Sequence, residues 1–210
     1  VCQFRDFVKE ASRVATEMKI IGLTGGIGMG KSTASAAFRR AHIPVFDADA
    51  AVHTLQAPHG RALRAIAAAF PGTVSNDTLD RTALREAVIG KPEAMTRLEA
   101  ILHPMVRRME KTFIARARRA GARAVVLDIP LLFETHGEGR VDFVVVVSAP
   151  KSVQIHRVRQ RRKLDEAQIK AIIARQTPDA EKRRRADLVV HTGLSRHHAL
   201  RTLKRFIASL

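Results

Sequence analysis

The chain of 210 residues carries 37 Lys and Arg against 20 Asp and Glu, a formal net charge of +17, with 46% apolar residues, one cysteine and neither Trp nor Tyr. That is apolar material for one sizeable core, and no apolar run reaches membrane-spanning length. The lone Cys2 excludes an internal disulfide or a thiolate metal site and suits a reducing compartment, so a cytoplasmic location without a membrane partner is expected.

The excess charge calls for acidic partners, and nucleic acid is the first to weigh. It is concentrated at Arg116 to Arg123, His156 to Lys163 and Lys182 to Arg185, and none of these runs contains an aromatic residue. Single-strand binders stack bases on aromatic side chains, so no stable nucleic-acid partner is expected. Most of these arginines read as solvated helix faces, and a few as the lining of an anion site.

Residues 1–17 place Phe4, Phe7, Val8, Ala11, Val14 and Ala15 at helical spacing. There is no continuous apolar region of the kind a signal peptide has. We read this stretch as an N-terminal extension and Met18 as the natural start. The apolar run from Ile20 to Leu23 then leads into Gly25-Gly26-Ile27-Gly28-Met29-Gly30-Lys31-Ser32-Thr33 and a helical pattern to Arg40. A strand, G-x-x-x-x-G-K-S and a helix, in that order, make a P-loop. Backbone N–H groups from Gly26 to Thr33 would cradle phosphates. Lys31 would reach the β- and γ-phosphates of ATP, and the Ser32 hydroxyl would bind Mg²⁺.

A second short strand, Ile43 to Phe46, ends in Asp47-Ala48-Asp49. In open α/β sheets ligands sit beyond the carboxyl ends of strands, so one of these carboxylates is expected to act as catalytic base and the other to cap the next helix. From Pro58 to about Ala120 the pattern reads as helical throughout, broken at Pro71-Gly72, at Gly90 with Pro92, and at His103-Pro104, where a new helix is expected to start. This insertion, residues 58–120, is assigned to acceptor binding. His103 is either a partner of the acceptor or simply the residue before a helix-starting proline.

Ala124 to Asp128 is a buried-strand pattern of Walker B form. Asp128 is either a Mg²⁺ carboxylate or a capping acid, and Glu134 is placed to face the acceptor. Asp142 to Val147 gives a further strand. A helix from about Ser152 carries Arg157 and Arg161 at i, i+4 on one face, and we select these two as transition-state arginines of a lid over residues 151–185. A last strand at Leu188 to Val190 and a closing helix from Ser195 follow. The count gives an α/β fold: a five-stranded parallel doubly wound sheet with two helical insertions, its core drawn from 18–57, 121–150 and 186–210.

Several stretches together resemble one family. Leu23 to Thr33, Asp47-Ala48-Asp49, Leu102-His103-Pro104, Asp128-Ile129-Pro130-Leu131-Leu132-Phe133-Glu134, Gln154 with Arg157 and Arg161, Gln176, and Ala186-Asp187 stand in the order seen in bacterial dephospho-CoA kinases. The resemblance spans Met18 to Leu210. It implies a core like that of nucleoside monophosphate kinases and transfer of the ATP γ-phosphate to the ribose 3′-hydroxyl of dephospho-CoA; a monomer or weak homo-oligomer is expected. Asp49 matches the family's catalytic aspartate, so the candidate acceptor-binding set is Asp47, His103 and Glu134. The chain departs from the pattern at Met29, where serine is common, at His191-Thr192-Gly193 in place of Asn-x-Gly, and at Arg162, where an Asp or Asn is often found. The rival assignments are another small-molecule P-loop kinase, such as one acting on nucleoside monophosphates, and an ATP-switched nucleic-acid-binding protein.

Overall fold

The computed structural model describes residues 17–162, 165–174 and 176–210, without the side chains of Arg161 and Arg162. The helix expected within 1–17 falls almost wholly outside the described residues, and the side chain of Arg161 lies outside them too. Two compact units are present: one uses the described residues up to Phe46 together with Arg116–Leu210, the other Asp47–Ala115.

The first unit is built on a five-stranded parallel sheet in the order β2-β5-β1-β6-β7. Its strands are β1 (Lys19–Thr24), β2 (Val45–Asp47, the last residue opening the second unit), β5 (Ala124–Asp128), β6 (Phe143–Ser148) and β7 (Leu188–His191). All five expected strands are therefore present. Central strands of a parallel sheet are covered on both faces, which is why β5 and β6 read as near-continuous apolar runs. Val125, Val126, Val145, Val146 and Val147 are fully buried. The register pairs Leu23 of β1 with Asp128 of β5 and Thr24 with Val146 of β6. The carboxyl end of β1 therefore lies beside Asp128.

Helix α1 (Lys31–Arg40) follows β1 and buries Phe38, whose ring meets Phe206 edge-on at 6.4 Å. Phe206 belongs to the closing helix α9 (Arg196–Ala208) and also meets Phe143 of β6 edge-on at 5.9 Å. Between β6 and β7 run α6 (Lys151–Arg162), α7 (Glu166–Ala174) and α8 (Asp179–Arg184).

The second unit holds α2 (Ala48–Leu55), α3 (Leu63–Ala69), α4 (Arg81–Val88) and most of α5 (Pro92–Arg119). Its core gathers Leu55, Leu63, Ile66, Phe70, Leu84 and Leu102. Two expectations are corrected here. The stretch is not helical throughout: β3 (Val74–Ser75) and β4 (Thr78–Leu79) form an antiparallel hairpin. Asn76 and Asp77 turn it at φ 48° and 53°, the left-handed pair that a two-residue hairpin loop requires. Nor does Pro104 start a helix, because α5 runs through it for 28 residues. The proline forfeits one backbone hydrogen bond, while Leu98 and Leu102, buried before it, and Met105, Val106 and Met109, packed against the same core after it, hold the helix on either side. Pro92 does stand in a first turn, as expected.

Among the described residues no helix is long and apolar enough to cross a membrane.

Candidate functional site

The P-loop turns out of β1 and into α1. Gly28 has φ 76°, and a Cβ there would lie 2.7 Å from Val158 Cγ2 and 3.0 Å from the Gln154 carbonyl, so α6 can approach the loop only because the side chain is absent. Gly30, at φ 92°, is the N-cap of α1 in left-handed conformation. It carries no capping side chain and leaves the helix N-terminus open toward the loop.

Lys31 opens α1 and its ammonium pairs with Asp128 Oδ1. Ser35, one helical turn later, donates its hydroxyl to Asp128 Oδ2. The side chain of Asp128 is 4% exposed, and a carboxylate so withdrawn from water needs such partners. Asp128 is seen anchoring Lys31 at the mouth of the loop, a role distinct from both alternatives read from the sequence. Ser35 was not selected from the sequence, although its i+4 spacing from Lys31 put both residues on one face.

The loop is braced from the far end of the chain. Gln154 Nε2 donates to the Ile27 carbonyl at 2.8 Å, and the Ile27 N–H donates to Gln176 Oε1 at 3.0 Å. Thr192 donates its hydroxyl to the Met29 carbonyl at 2.6 Å. Arg157 in turn donates to the Thr192 carbonyl at 2.7 Å and to its hydroxyl oxygen at 3.1 Å. Met29 is 3% exposed, and its sulfur accepts the Ala149 N–H at 3.0 Å. The residue standing where the family commonly has serine is thus a core side chain.

Glu134 accepts from the Thr177 N–H at 2.8 Å and pairs at 2.9 Å with the ammonium of Lys182, whose side chain is 1% exposed. Burial pushes the Glu134 carboxyl up, but the adjoining Lys182 ammonium and the hydrogen bond from the Thr177 N–H outweigh it and hold the group below the ordinary glutamate value. Neither Lys182 nor Thr177 was singled out from the sequence.

The first unit thus brings together Gly26 to Thr33, Asp128, Glu134 and Arg157. Ser32 is exposed in the first turn of α1. The second unit carries Asp47, Asp49 and His103. Asp47 caps α2, its carboxylate accepting from the Ala50 N–H at 2.9 Å. Asp49 is exposed in the first turn of the same helix, and His103 is exposed on α5 immediately before Pro104.

A family model described as dephospho-CoA kinase matches residues 19–196. The dephospho-CoA kinase of Paramagnetospirillum magneticum is 57% identical over 166 residues, 79% of this chain and 78% of its own. That of Gluconobacter oxydans is 51% identical over 197 residues, 92% of this chain and 98% of its own. A solved structure from Thermus thermophilus superposes with a TM-score of 0.81 at 37% identity, covering 93% of this chain and 99% of that one. With a nucleotide-type loop on the expected sheet and matches of this extent, the chain belongs to the dephospho-CoA kinase family.

Proposed function

We propose that this chain transfers the γ-phosphoryl group of ATP to the ribose 3′-hydroxyl of dephospho-CoA, completing coenzyme A, and does so in the cytoplasm as a monomer or weak homo-oligomer. The observation that carries the reading is the Lys31–Asp128–Ser35 cluster at the mouth of a glycine-built loop. It holds a cation where an incoming triphosphate can recruit it.

Within the loop, the N–H groups of Ile27, Met29 and Thr33 bond to Gln176, Gly26 and Gly30. Those of Gly26, Gly28, Gly30, Lys31 and Ser32 are then the ones assigned to the phosphate oxygens. Lys31 swings from Asp128 to the β- and γ-phosphates. Arg157, whose guanidinium has five donors, keeps some beyond those spent on Thr192 for the transferring group, together with Arg161.

The oxygen donors fit Mg²⁺: Ser32 would offer its exposed hydroxyl and Asp128 the Oδ1 that Lys31 vacates on turning to the phosphates, and Mg²⁺ favours a few such groups with phosphates completing its shell. When bound, the ion neutralises charge on the β- and γ-phosphates. Among the described residues no cluster of three or more His, Cys, Asp or Glu side chains exists that would hold an ion without the nucleotide.

Asp49 is the base. It accepts the proton of the 3′-hydroxyl as that oxygen bonds to the γ-phosphorus and the bond to the bridging oxygen breaks, releasing ADP. Asp47, His103 and Glu134 are assigned to the acceptor's side of the site, with Asp47 and Glu134 acting through the backbone segments they hold.

A coupled ADP-release assay tests the reading. Dephospho-CoA should be phosphorylated far faster than any nucleoside monophosphate, and preference for a monophosphate would overturn it.

A further inference from the structure

We infer that Gln154 and Gln176 are positioning residues that set the shape of the phosphate cradle by gripping a single peptide residue, Ile27, from both sides. This rests on the loop being the ATP site.

The two bonds are complementary in polarity. Gln154, 3% exposed on α6, offers an amide donor to the Ile27 carbonyl, and Gln176, between α7 and α8, offers an amide acceptor to the Ile27 N–H. A backbone carbonyl can only accept and a backbone N–H can only donate, so the chemistry of Ile27 fixes which end of each glutamine faces it. Ile27 immediately precedes Gly28, whose N–H is among those assigned to phosphate. Fixing both polar groups of Ile27 fixes the direction of the next peptide plane. The partners lie 127 and 149 residues away in sequence, on elements that flank the loop rather than belong to it.

Gln176 is further tied down by its neighbour, because the Thr177 N–H is held by Glu134. The two glutamines therefore act on ATP through the loop and need touch no part of the nucleotide.

Because the grip has polarity, it can be tested with charge held constant. Gln176→Glu keeps the acceptor facing the Ile27 N–H. Gln154→Glu replaces the donor with a carboxylate facing the Ile27 carbonyl. Both add one negative charge beside the loop. Measured on the full chain, Gln154→Glu should raise the KM for ATP about tenfold or more above that of Gln176→Glu, with the KM for dephospho-CoA unchanged in both. The neutral variants Gln154→Leu and Gln176→Leu should each raise the ATP KM about tenfold.

Hydrogen exchange without nucleotide gives a readout independent of activity. The Ile27 amide should stay protected in the wild type and in Gln176→Glu, and lose protection in Gln176→Leu. Equal ATP KM values for the two glutamate variants, or an Ile27 amide unaffected by Gln176→Leu, would overturn the inference. A wild type that neither binds ATP nor phosphorylates dephospho-CoA would instead overturn the proposed function, leaving the exchange result to judge the grip itself.

Discussion

The two units use polar groups differently. In the first, the side-chain hydrogen bonds that shape the site join residues far apart in sequence: 93 for Ser35–Asp128, 106 for Thr24–Pro130, 127 for Gln154–Ile27 and 149 for Gln176–Ile27. In the second, the bonds of Asp47, Thr54, Thr73 and Asp80 span two to four residues and serve caps and turns around an apolar core. Local bonds stabilise the element that contains them. Bonds across 100 residues can instead fix the aim of a backbone group, which is what a phosphate site needs. Substitutions in the first unit should therefore disturb chemistry, and those in the second mainly stability.

The sharpest challenge to that division is Asp49, which sits in the second unit yet is assigned the proton. Asp49→Asn should lower kcat about 10²–10⁴-fold in steady-state assays while leaving ATP affinity near normal. Near-normal turnover at saturating substrates would return the whole of the chemistry to the first unit.

Lys31→Ala comes next. It should lower kcat/KM for ATP about 10²–10³-fold and, because it strips a partner from buried Asp128, cost about 1–3 kcal/mol in denaturant unfolding. Adding Asp128→Asn should recover part of the stability and none of the activity.

Glu134 sharpens the comparison through pH. Its carboxyl is held below the ordinary glutamate value of 4.5, so its contribution is complete above that pH and disappears as the pH falls through the lowered folded value. Glu134→Gln should cost about 1.5–3 kcal/mol at pH 7 and progressively less below pH 4.5, so that the unfolding curves of variant and wild type converge in acid.

The smallest effect is expected at Asp80, whose carboxylate caps α4 by accepting from the N–H groups of Thr82 and Ala83. Asp80→Ala should cost about 0.5–2 kcal/mol by thermal unfolding, with the transfer rate per folded molecule unchanged.

What could be read from the sequence follows the same line. The central strands were legible because burial on both faces imposes continuous apolar runs, and the loop because its glycines and Lys31 must stand at fixed spacing. That one carboxylate of Asp47-Ala48-Asp49 caps the next helix was legible because capping is local, whereas its assignment to Asp47 comes from the structure. The hairpin at Val74–Leu79 was missed because two-residue strands carry no periodicity, although the Asn76-Asp77 pair was the signal available. Pro104 misled because a proline's local cost does not include the core contacts that carry the helix past it, from Leu98 and Leu102 before it to Met105, Val106 and Met109 after it. Thr192 gripping Met29, Lys182 buried against Glu134 and Gln176 on Ile27 were illegible for one reason: pairwise contact between distant positions leaves no pattern in a single chain.

The bond between Ile27 and Gln176 also bears on how the protein is made. At about 5–20 residues per second on the ribosome, the 149 residues between them take roughly 7–30 s to synthesise. The nucleotide loop is therefore made well before the partners that brace it. A nascent chain stalled before residue 176 already displays the complete glycine-lysine motif, yet it still lacks Gln176 and Thr192, two of the groups that hold the motif in form.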